Sequence, residues 1–120
     1  MAVNIVGGSV SPSTALTLNA QTGTTYTFVL TDANNTLVTA SNASAQTYTI
    51  PPNSSVAYPI GSQINIIQIG AGQVSFAQGS GVTIASNGAT STAPKLRVQY
   101  SSASAIKVNT DSWYVVGDIA

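Results

Sequence analysis

The sequence predicts an all-β fold, and three observations carry that prediction. Apolar and polar residues alternate in short runs, turns rich in glycine, proline and asparagine separate the runs, and no window of a dozen residues has the spacing of an amphipathic helix. Such a chain is expected to fold as a compact antiparallel sandwich, barrel or β-prism-like module of about nine to eleven short strands. Its 120 residues make one small domain, divided into an N-terminal arm over residues 1–23 and a β-rich module over residues 24–120.

Within residues 1–20, Gly7-Gly8 and Ser9-Val10-Ser11-Pro12-Ser13 interrupt the pattern, leaving either an arm that docks on a neighbour or an ordinary first strand with a loop. Residues 24–30 put Tyr26, Phe28 and Leu30 on one face of a half-buried strand. Asp32-Ala33-Asn34-Asn35-Thr36 reads as a turn and residues 37–39 as the second strand of a hairpin. Residues 46–50 form a strand that Pro51-Pro52 ends, because proline cannot donate to a ladder. Residues 63–69 are the most apolar segment, with Ile64 and Ile66 facing one way, Ile67 and Ile69 the other, and both faces covered. Glycine turns then punctuate strands at 73–77 and 82–84, Asn87-Gly88 marks a tight turn in an exposed loop over 85–94, and strands at 96–100, 105–108 and 113–116 close the chain. Ile64, Ile66, Ile67, Ile69 and Phe76 are the candidate core or self-association residues. Tyr48, Tyr58 and Tyr100 are the candidate exposed aromatic contacts.

Charge narrows the function. Only 5% of residues are charged, three basic and three acidic, and histidine and cysteine are absent. General acid–base catalysis wants histidine or a carboxylate pair, and the nearest acids in sequence, Asp111 and Asp118, read better as turn residues or partners of Lys95, Arg97 or Lys107. Ser104-Ala105-Ile106-Lys107 has the spacing of a serine–lysine pair, but on a strand that spacing sends the two side chains to opposite faces. Gly70-Ala71-Gly72 and Gly79-Ser80-Gly81 open no helix and lack the lysine of a phosphate loop. Asp32-Ala33-Asn34-Asn35-Thr36 lacks the glycine and glutamate of a calcium loop. No catalytic residue, cofactor or metal is therefore expected, and three basic residues are too few for nucleic acid. The glycosylation triplets at Asn34, Asn42 and Asn53 are chance matches in a chain this rich in Asn, Ser and Thr. With no signal-peptide pattern and no apolar run of membrane-spanning length, the chain reads as a soluble product of the cytoplasm, and zero net charge favours association.

From about Thr25 onward the chain resembles a β-rich module of tailed-bacteriophage virion proteins, among them head fibres, head decoration proteins and tail fibres. The resemblance rests on residues 26–33, on Thr49-Ile50-Pro51-Pro52-Asn53-Ser54-Ser55 continuing to Ile64, on residues 69–76 with Gly70-Ala71-Gly72-Gln73-Val74, and on Trp113-Tyr114-Val115-Val116-Gly117-Asp118-Ile119. It implies a non-enzymatic virion component, commonly trimeric and exposed on the particle, and the leading expectation is a homotrimer that binds the major capsid protein. With only about 24 residues before the module and no long shaft, the chain looks more like a complete decoration protein or head fibre than a fibre tip. On that expectation residues 1–20 carry the capsid attachment. The alternative is a receptor-binding tip that recognises host-surface glycan. A polysaccharide lyase or hydrolase is a third reading, for which the residues supply neither paired acids nor an activated base.

Overall fold

Nine strands form among residues 15–120, the part of the chain that this computed structural model describes. In order they are β1 (Thr17–Gln21), β2 (Thr25–Thr27), β3 (Thr36–Ala40), β4 (Gln46–Ile50), β5 (Gln63–Gln68), β6 (Val74–Gln78), β7 (Thr83–Ser86), β8 (Ser102–Asn109) and β9 (Ser112–Gly117). Period-two patterning places them: Val38 and Ala40, Tyr48 and Ile50, Ile64 and Ile66, and Val74 and Phe76 each bury alternate positions of one strand. The all-β expectation holds.

The expected antiparallel arrangement does not. β1, β3 and β5 run parallel in one sheet, and β2, β4 and β6 run parallel in the other. Parallel neighbours cannot be joined by a tight hairpin, and here the crossover is the intervening strand of the opposite sheet. The chain thus winds as three stacked turns of a β-solenoid, β1–β2, β3–β4 and β5–β6. The hairpin expected around Asp32–Thr36 is instead a 3-10 turn at Leu30–Ala33 that carries the chain from one sheet to the other.

The corners stack as the strands do. Asn42 Nδ2 donates to the Thr22 carbonyl of the turn before it at 2.8 Å, and Gly72 N of the turn after it donates to the Asn42 carbonyl at 2.8 Å. A Cβ on Gly72 would run into Ser44 O, so the Gly70-Ala71-Gly72 corner is glycine-rich because two backbones pass there in close contact.

The C-terminal part completes both sheets. β8 pairs antiparallel with β5, β9 antiparallel with β8, and β7 parallel with β9, giving the order β1-β3-β5-β8-β9-β7. Residues 94–96 run beside β6, with Leu96 N donating to Val74 O at 2.9 Å and Ala120 N to Lys95 O at 2.8 Å. The strand expected over 96–100 therefore shrinks to this short bridge, because the chain turns at residues 98–100. β1 is an edge strand bonded to β3, so the expected arm does not extend to residue 23; residues 1–14 of it lie outside the described residues.

Between the sheets lies one core. Tyr26, Tyr48 and Phe76 occupy the same register position on successive rungs, and Phe28 packs beside Tyr48 and Phe76 with ring centroids 5.7 and 6.3 Å away. Val38, Ile66 and Ala103 face them from the larger sheet, and Trp113 meets the Tyr58 ring edge-on at 5.2 Å.

Candidate functional site

The outer face of the six-stranded sheet is the broadest candidate surface. Registered rows run Leu18–Leu37–Asn65–Ser104–Val116 and Gln63–Ile106–Tyr114–Ala85. Leu18, Tyr114 and Val116 are exposed on this face, while Leu37, Ile67 and Ile106 are half-buried. No outward-pointing residue of the six strands is charged. A groove of about 390 Å³ lies at its β9–β7 edge, lined by Ala85, Ser86, Tyr114 and Val116. Apolar side chains in an uncharged field of amides and hydroxyls suit protein contact, since desolvating this face strips water from no ion.

At the margin of this sheet, residues 97–101 build a second feature. Tyr100 holds a backbone φ of +71°, unusual for a bulky residue, with its N–H fixed to Gln68 O at 2.6 Å and its side chain 69% exposed. Val98 N accepts no freedom either, donating to Ser101 Oγ at 3.1 Å, while that hydroxyl donates to Asp118 Oδ2 at 2.6 Å. Arg97 Nε and Nη2 grip Asp118 at 2.7 and 3.1 Å. The Arg97 and Ser101 hydrogen bonds hold the Asp118 carboxyl below the usual carboxylate range, and Asp118 in turn raises Arg97. The loop thus presents an aromatic ring on a fixed backbone beside a bidentate ion pair.

The exposed end of the first rung is polar inside. Here Asn19 and Gln21 occupy inward positions where the next rung has Val38 and Ala40. The buried Asp32 carboxylate accepts from Tyr26 Oη at 2.7 Å, Val29 N at 2.9 Å and Asn19 Nδ2 at 2.8 Å. Burial and then the bond to Asp32 push the Tyr26 phenol up to about 12. With Thr17, Thr31 and Asn34 these groups line an open cleft of about 590 Å³. Asp32, expected in a hairpin turn, is instead buried at this end of the core with its carboxylate hydrogen-bonded.

Of the candidate core residues, Ile64, Ile66 and Phe76 lie in the core, whereas Ile67 is half-buried on the outer face and Ile69 half-buried at a corner. Tyr100 is exposed as expected, but Tyr48 and Tyr58 are not: their relative exposures are 0% and 3%. Tyr48 takes an inward position of β4, and the Tyr58 ring turns into the core, where its hydroxyl donates to Val29 O at 2.7 Å. Asp111 and Asp118 sit beyond opposite ends of β9, some 20 Å of extended chain apart, and form no pair. Ser104 and Lys107 point to opposite faces, the serine to Asn65 and the lysine into the interior. Lys107, expected as a partner of Asp111 or Asp118, is instead buried, and its phase was readable: it follows Ala103 and Ala105 at the inward positions of β8. No family model, curated protein or solved structure matches the chain.

Proposed function

We propose that this chain is a structural protein of a bacteriophage virion, a head decoration protein or head fibre that self-associates as a trimer and adheres to the capsid surface. The observation that supports this best is the uncharged, partly apolar outer face of the six-stranded sheet. A surface of that kind gains by being covered, and threefold association covers it in a closed assembly. The resemblance of residues 26–33, 49–64, 69–76 and 113–119 to the virion module supplies the biological setting. The mechanism is mass action: a protein that binds only the assembled shell stabilises the shell by its binding free energy at every site. No enzymatic step is part of this reading, and residues 1–20 are its capsid-attachment segment.

The test is the mass in solution, by light scattering coupled to size exclusion, with and without undecorated capsids. A trimer that co-migrates with capsids is the expected result; a stable monomer that ignores capsids overturns the proposal. A glycan-reading tail-fibre tip is the second reading, favoured by exposed Tyr100 and by the polar cleft at Asn19, Tyr26 and Asp32. Retention on immobilised glycans, without capsid binding, selects it.

A further inference from the structure

Lys107 is a cation in the interior, 2% exposed, among neutral partners. Its Nζ donates to Asn53 Oδ1 and to the Tyr58 carbonyl, each at 2.7 Å. Among the described residues the one ion pair is Arg97–Asp118, so no carboxylate lies within ion-pairing reach of Nζ. An ammonium has three hydrogens to place, and this one finds two protein acceptors. A buried lysine paired with a carboxamide rather than a carboxylate is a poor device for stability, because desolvation of the cation is offset only by neutral dipoles.

It is a good arrangement for a reaction. A hydrogen bond of 2.7 Å to a carbonyl oxygen places Nζ about 3.5 Å from the carboxamide carbon, close enough that a turn of the amide plane brings its face to the amine. Asn53 is held in place from the other side: its N–H donates to Asp111 Oδ1 at 2.7 Å, and Pro51-Pro52 stiffen the chain leading to it. Among the described residues the carboxamide Nδ2 has no hydrogen-bond partner, and since none of their unpartnered side-chain nitrogens is fully buried, it opens toward solvent. Tyr58 and Trp113, 3% and 1% exposed, pack edge to face in the same region of the core.

We propose that Lys107 and Asn53 join in an intramolecular isopeptide bond once the chain has folded. Nζ first gives one ammonium proton to water; the neutral amine then attacks Cγ of Asn53, the Cγ–Nδ2 bond breaks, and Cγ–Nζ replaces it. Of the two hydrogens left on Nζ, one remains in the new amide and one passes to the departing NH₂ group, and the ammonia so formed takes up the proton given to water and leaves as ammonium ion. Nothing is oxidised or reduced, and water is the one proton carrier needed. The product ties the loop after β4 to β8, residues 54 apart in sequence, so the second rung is fastened covalently to the hairpin that closes the sheet.

Intact-mass spectrometry of the purified full chain, denatured after a period of folding, tests this directly. The expected mass is lower than that of the sequence by one ammonia, and proteolysis yields a branched peptide joining the segments that hold Asn53 and Lys107. Lys107→Arg abolishes the branched peptide. An unchanged mass overturns the proposal. So does an ammonia loss with both peptides recovered unlinked, which would place the lost ammonia at another asparagine such as Asn87 before Gly88. The decisive reading is made on the wild-type chain and does not depend on the variant folding.

Discussion

Ile66 and Ile67 are chemically identical neighbours that the solenoid sends to opposite sides of one sheet, so truncating each in turn reads out the architecture. Ile66 has no exposed surface and sits in register with Val38 on one side and Ala103 on the other. Its neighbours on the larger sheet include Ala40, Ala103 and Ala105, which are already small and are fixed by strands on both sides. The cavity left by Ile66→Ala has little chance to collapse, which puts its cost in the upper part of the usual range, about 4 kcal/mol. Ile67→Ala removes a side chain that is half-exposed in the single chain, worth about 1 kcal/mol. With a urea slope of about 2 kcal/mol per molar, the midpoint should fall by about 2 M for Ile66→Ala and by about 0.5 M for Ile67→Ala. Trp113, the single tryptophan and 1% exposed, reports unfolding by fluorescence. The measurement is repeated at two protein concentrations to separate packing from association. Equal shifts for the two variants, or a larger concentration-independent shift for Ile67→Ala, would refute the placement of these faces.

Gly72→Ala should strongly destabilise the fold, since the added methyl group meets the Ser44 carbonyl of the corner below; a melting temperature equal to wild type would contradict the stacked corner. Val116→Asp, on the outer sheet face, should leave the circular dichroism spectrum unchanged but lower the oligomeric mass, and an intact oligomer would remove that face from the interface. Alkali should unfold the protein between about pH 10 and 12. Burial raises Tyr26 and Tyr48 to about 12 and Tyr58 further in the same direction, so the stability these phenols lend is complete below the unfolded value near 10 and disappears as pH rises through the folded one. Tyrosinate absorbance that appears for these residues well before unfolding would contradict their burial.

Strand positions were largely legible, because period-two patterning depends on nothing beyond the residue and its neighbours: β4, β5, β6 and β9 fall where alternation puts them. Pairing was not. Thr17 pairs with Thr36 and Leu37 with Asn65, offsets of 19 and 28 residues, so no fixed repeat marks the rungs. Turn-forming residues such as Asn42 and Gly70 signal that the chain changes direction, but a hairpin and a solenoid corner use the same residues. The candidate sites suffered in the same way. Tyr48 and Tyr100 are alike in composition, and only inward phase in one and a left-handed backbone in the other separate core from surface. The Lys107–Asn53 contact links residues 54 positions apart, and although the lysine's inward phase was visible, its partner was not.

The insertion of β8 and β9 between β5 and β7 also sets an order of events. β7 is made before either strand, yet its partner in the sheet is β9, which follows it by some 26 residues and ends at Gly117. During synthesis β7 lacks its sheet partner until β9 has been made. A chain that stops before β9 leaves β7 unpaired and the outer face incomplete, so the closing of this edge registers that residues 102–117 have been made and folded.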